Sequence, residues 1–174
     1  QKYNCSNELS QSFGITSVTE IKGNVAVVSR YVDKPVTIES TSYIKLMNGS
    51  LAFDNVTIDF DGSTVGYFLN NANATADMQG VYFNKVKMLN ITKPVLYSSI
   101  AGYGYNNFIV ENCDFHIAAA AQAKFQLINF YKSSVLHTYK KIVFDNNLVY
   151  CDDAAHQVQI MNYDQNVAQA GSPW

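Results

Sequence analysis

Asp152, Asp153 and His156, in the stretch CDDAAH, are the residues whose types come nearest to a catalytic set in this chain. Two carboxylates and an imidazole could serve as acid and base in hydrolysing a glycosidic bond. Adjacent aspartates on a strand, however, point to opposite faces, which favours a solvated loop. A second acidic stretch, DFDGS at 59–63, begins like a calcium loop, with carboxylates two apart before a glycine. The remaining ligands and the closing glutamate of such a loop are missing, so it reads as a turn. His116 and His137 have no serine or cysteine partner that sequence can supply. Cys5, Cys113 and Cys151 lack metal-type spacing, so no metal or other cofactor is expected. Cys113 falls at an apolar position and reads as a buried thiol, while a Cys5–Cys151 bridge is left open.

The stretch GYGYNN at 102–107 offers a different chemistry. Tyr103 and Tyr105 lie in a glycine-flexible loop just before a strand, where rings can stack on sugars and Asn106 and Asn107 can bond to hydroxyls. The alternative is that the tyrosines fold back over the protein.

Composition narrows the scaffold that must position these groups. The 174 residues suffice for one domain with a sizeable core. Charged residues make up 15% of the chain against about 25% in ordinary domains. Polarity therefore comes from Asn, Ser, Thr and Tyr, the surface residues of strands and turns rather than of helices. Arg30 is the single arginine and the net charge is −2. Phosphate binding needs clustered Lys and Arg, so nucleic acid is not an expected partner. No apolar run is long enough to span a membrane, and no signal-peptide pattern opens the chain. Beginning at Gln1 fits a mature or trimmed form. Five Asn-x-Ser/Thr sites, at Asn4, Asn48, Asn55, Asn73 and Asn90, are no more than Asn- and Thr-rich composition supplies.

The organisation follows from a slip in alternation. In FIVENCDFHI, Phe108 and Val110 are two apart, as are Cys113, Phe115 and Ile117, but Val110 and Cys113 are three apart. A strand keeps a strict period of two, so the slip is a bend between two short strands. It recurs in LAFDNVTIDF, VYFNKVKMLN and IVFDNNLVYC, at Asn55, Lys85, Asn112 and Asn146, spaced 30, 27 and 34. Asparagine suits the corner because it tolerates the left-handed backbone and bonds to neighbouring backbone. Stacked corner residues Asn55, Asn112 and Asn146 would form a ladder, with Lys85 lacking the amide and Asn147 placing a polar group where an apolar one is expected. A second strand precedes each corner, marked by the apolar pairs Val36/Ile38, Tyr67/Leu69, Val95/Tyr97, Phe125/Leu127 and Val158/Ile160, which keep a similar period. The only helix-like tract, residues 117–125, falls within a loop.

A repeat near thirty with about three strands and a variable loop per unit implies stacked coils with parallel sheets. The expected fold is all-β, a right-handed parallel β-helix (solenoid) of about four to five coils. Residues 1–35 would form an N-terminal cap and first strand, and 36–174 the coils, the last one incomplete. Asn48-Gly49 and Asp61-Gly62 are the only turn signals that an antiparallel sandwich would use. A coil left incomplete suggests a piece of a longer β-helix, a trimmed chain, or end-to-end association with another copy.

With its FDN-V-T-I, VEN-C-D-F and FDN-N-L-V units, the chain resembles the pectate-lyase-like superfamily of parallel β-helices over roughly residues 36–162. It is most similar to β-helix domains of secreted or surface proteins from glycan-foraging gut bacteria. That resemblance implies an extracytoplasmic setting and a polysaccharide context. The lyases of that superfamily use calcium-binding carboxylates with an Arg or Lys base, and its hydrolases use clustered aspartates with Gly-His-Gly and Arg-x-Lys companions. Neither set is present. The expectation is therefore a non-catalytic extracellular module, carbohydrate-binding or spacer. A lyase or glycosidase fragment and an adhesin-like stalk are the alternatives.

Overall fold

The computed structural model describes residues 13–71, 77–98, 104–130 and 141–163. Sixteen strands and no helix occur among them. They are β1 (Phe13–Ile15), β2 (Thr19–Val28), β3 (Val36–Ser40), β4 (Ile44–Asp54), β5 (Val56–Asp59), β6 (Leu69–Asn71), β7 (Asp77–Asn84) and β8 (Lys87–Ile91), followed by β9 (Leu96–Ser98), β10 (Gly104–Tyr105), β11 (Asn107–Glu111), β12 (Asp114–Ile117), β13 (Lys124–Phe130), β14 (Lys141–Asp145), β15 (Leu148–Cys151) and β16 (Gln157–Tyr163). Every pairing among them is parallel.

One sheet runs β1-β3-β5-β8-β12-β15, and a second runs β14-β11-β7-β4-β6-β9-β13-β16, with β2 paired to β4. The chain passes from the second sheet to the first at each slip. Asn55, Lys85, Asn112 and Asn146 all take left-handed backbone angles, with φ of 54°, 52°, 56° and 51°. One left-handed residue reverses which side the next side chain faces, so both flanking strands keep their apolar residues inside.

The interior is a column of like on like. Leu51, Val81 and Phe108 are in register, as are Ile38, Ile58 and Met88, and all are buried. Phe53 stacks on Phe83 with centroids 5.5 Å apart and planes 3° apart, and Phe115 stacks on Phe144 at 5.8 Å. Parallel register forces the first of these, because equivalent residues of successive coils fall about 4.8 Å apart, whereas Phe115 and Phe144 meet from opposite sheets.

Several expectations are corrected. Val36 and Ile38 pair with Val56 and Ile58, so they belong to the post-corner strands and not to the pre-corner set. Residues 13–35 hold β1 and β2, in parallel register with β3 and β4. Asn48-Gly49 is not a hairpin turn but a bend inside β4. Its first half pairs with β6 and its second half with β7. Gly49 has φ 88°, and a Cβ there would collide with the backbone of Gly23 in β2. The helix-like tract forms a short turn between β12 and β13.

Candidate functional site

At the corners, the amide ladder runs through Asp54, Asn84, Asn112 and Asn146. Asn84 Nδ2 donates to Asp54 Oδ1 at 2.9 Å, Asn112 Nδ2 to Asn84 Oδ1 at 3.0 Å, and Asn146 Nδ2 to Asn112 Oδ1 at 2.7 Å. Lys85 lacks an amide, and the residue before it supplies one. Asn55 instead donates to the carbonyl oxygens of Tyr31 and Val32, tying down the loop of the first coil. Asn147 turns its amide to backbone, accepting from Cys113 N at 2.9 Å and donating to Val110 O at 3.0 Å. These groups bond to one another and hold coils together.

The acidic stretch is divided. Asp152 Oδ1 lies 2.8 Å from His116 Nε2, on the preceding coil. Asp153 closes its own turn by accepting from Ala155 N at 2.8 Å, and its other oxygen lies 3.9 Å from His156 Nε2. Asp152, Asp153 and His156 therefore do not converge on one point. A longer polar row appears, which sequence reading did not join: Asp59, Asn90, His116 and Asp152. Asn90, left-handed at φ 58°, donates through Nδ2 to Asp59 Oδ1 at 2.8 Å and through its backbone N–H to His116 Nδ1 at 3.4 Å. Tyr150 stacks on the His116 ring at 5.1 Å. A catalytic base needs the ring nitrogen remote from its carboxylate to face substrate. Here that nitrogen accepts a backbone N–H, so the row is a strap across coils. Among the described residues no group of His, Cys, Asp and Glu could hold a metal ion.

The tyrosine loop is only partly described. Tyr103 and His137 lie outside the described residues, as does the side chain of Tyr105, whose backbone pairs with Met78. Asn106 Nδ2 donates to Gln79 Oε1 at 2.8 Å and Asn107 Nδ2 to Gln79 O at 3.2 Å, so both amides tie adjacent coils. Cys113 is buried, with Sγ 3.1 Å from Glu111 O. Burial pushes its thiol up to about 11, away from any nucleophilic role. Cys151 is a free thiol, and Cys5 lies outside the described residues.

A different set of residues lines a groove of about 360 Å³ formed by β9, β13 and the segments that lead into β6, β9 and β13. Tyr67, Tyr97, Gln126, Asn129, Lys93 and Lys124 are among its walls. Tyr67 and Tyr97 stack with planes 3° apart and centroids 5.6 Å apart, and Tyr43 meets Tyr67 edge-on at 5.0 Å. Burial, and then the adjacent Tyr43 hydroxyl, raises the Tyr67 phenol above its ordinary range. On the next coils Asn162 Nδ2 donates to Asn129 Oδ1 and Gln126 Nε2 to Gln159 Oε1, each at 3.2 Å, and Asn129 Nδ2 donates to Gln126 Oε1. An amide carries two donors and two lone pairs, so each member of this strip retains bonding capacity. Tyr67 and Tyr97 were expected among the inward-facing pairs. Their pair partners Leu69 and Val95 are buried, but with the adjacent Phe68 and Leu96 in place of the tyrosines, because two consecutive residues turn inward at each bend. The spacing of 30 between Tyr67 and Tyr97, and of 33 between Gln126 and Gln159 and between Asn129 and Asn162, was the available signal.

Fold and groove define an all-β protein of stacked parallel coils carrying an aromatic and amide strip on its outer surface. The chain belongs to the family described as Domain of unknown function (DUF4957), whose model matches residues 11–158. No curated protein and no solved structure matches it.

Proposed function

We propose that this chain is a right-handed parallel β-helix module of the pectate-lyase-like kind that binds carbohydrate without cleaving it, in an extracytoplasmic setting. Parallel strands of one sheet joined by a crossover are right-handed in nearly all proteins, which supports the handedness. The observation that carries the binding role is the groove in which stacked Tyr67 and Tyr97 adjoin Gln126 and Asn129. A sugar ring has apolar C–H faces and a polar rim, and a site for it needs aromatic area beside planar amides. Tyr67 stacks on Tyr97, and Tyr97 is in register with Asn129 of the amide strip on the following coil. The non-catalytic part of the proposal is supported by the described walls of the groove, among which no carboxylate pair stands to act as acid and base.

The test is electrophoresis of the native protein in gels cast with plant and host polysaccharides, neutral and anionic. Selective retardation by one of them, weakened about tenfold or more by Tyr97→Ala, is the expected result. Retardation by none, or retardation unchanged in both Tyr97→Ala and Gln126→Ala, would overturn the binding role. Release of reducing sugar or of unsaturated product by the purified chain would overturn the non-catalytic one.

A further inference from the structure

The same groove carries a charge asymmetry. Lys93 and Lys124 stand on its walls, both exposed, and among the described residues that line it there is no aspartate or glutamate. The chain as a whole is acidic, with net charge −2. Among the described residues, the lysines in ion pairs are Lys22 and Lys45, which lie elsewhere with Glu20. Two ammonium groups beside aromatic rings and amides, without a carboxylate to neutralise them, give a locally positive channel on a negative molecule.

We propose that the groove takes a polysaccharide bearing anionic substituents, sulfate esters or carboxylates, and that Lys93 and Lys124 read the charge while Tyr97, Gln126 and Asn129 hold the sugar. This rests on the carbohydrate-binding reading above. Ammonium is a compact point charge that recognises either anion, so the shared chemistry is the negative charge on a sugar ring. Because both lysines are solvated, each contributes a modest, salt-sensitive increment.

The experiment compares gels containing dextran, carboxymethyl dextran and dextran sulfate at low and at high salt. Their backbones are the same and their charge differs. The charged dextrans should retard the protein at low salt, and high salt should weaken the effect. Lys93→Gln and Lys124→Gln should each lower the affinity roughly two- to fivefold. The pair Lys34→Gln and Lys87→Gln, exposed lysines outside the groove, should leave it unchanged. Retardation by one charged dextran alone identifies its substituent as the one recognised and supports the proposal. Retardation by neither, or equal loss in the two lysine pairs, overturns it. So does retention of an oligothymidylate more tightly than of dextran sulfate, which would point to nucleic acid. A neutral polysaccharide held in a Tyr97-dependent manner, with no preference for charge, would overturn this proposal and leave carbohydrate binding standing.

Discussion

Lys85 occupies a left-handed corner at φ 52° where the equivalent residues of other coils are asparagines. A lysine there carries the steric cost of Cβ against the following carbonyl, without the local bonding that makes asparagine tolerant. Lys85→Asn should stabilise the protein by about 0.5–1 kcal/mol, seen as a higher urea midpoint with unchanged slope. Asn112 is the opposite case. It donates to Asn84 and accepts from Asn146, so Asn112→Ala removes two bonds and places a Cβ-bearing residue without a polar side chain at φ 56°. A loss of about 1–3 kcal/mol is expected by the same measurement. Cys113 adds a pH dependence. Its folded thiol titrates at about 11, against 9.0 for an ordinary thiol. Burial thus favours the neutral form, and this contribution is complete below pH 9 and lost as pH rises through 11. The stability difference between the native chain and Cys113→Ala should therefore shrink between pH 8 and 11, as followed by urea denaturation.

At the scale of the element, β4 is the strand on which the second sheet turns. It pairs with β6 through Ile44–Leu46 and with β7 through the stretch ending at Asp54. The bend between them requires φ 88° at Gly49 and close approach to Gly23. Gly49→Ala meets both obstacles, so it should cost more than about 2 kcal/mol and lower the melting temperature sharply. Gly23→Ala is the control: nothing stands within 4 Å of a Cβ at that position. Its melting temperature should stay close to that of the native chain.

At the scale of the molecule, each coil touches only its neighbours, so stability is a sum of coil and interface contributions. The central coils have neighbours on both sides. Ile58, Met88 and Phe115 are buried in the first sheet, whereas their register equivalent in β15, Val149, is only partly buried. Amide hydrogen exchange should be slowest in β5, β8 and β12 and markedly faster in β1 and β15. Uniform protection across all five strands would show that the coils open as one unit.

Period, corner and core are local properties, which is why they are legible in the chain alone. The slip in alternation needs only neighbouring residues to detect, and all four slip residues are left-handed in the fold. Side-chain partners across coils were less legible. The amide at the second corner comes from Asn84 and not from the slip residue, because register pairs Asn84 with Asp54 and Glu111. Asp59, Asn90, His116 and Asp152 are 31, 26 and 36 residues apart and meet only when the coils stack. The groove was hidden for a further reason. Tyrosine is compatible with either face of a strand, and a bend that sends two successive residues inward cancels the period-two rule that would have assigned it. Composition and spacing thus determine a stack of parallel coils turned at asparagine corners. Only the packed molecule decides which tyrosines face water, because that depends on strand register and on the position of each bend, neither of which is encoded within one repeat.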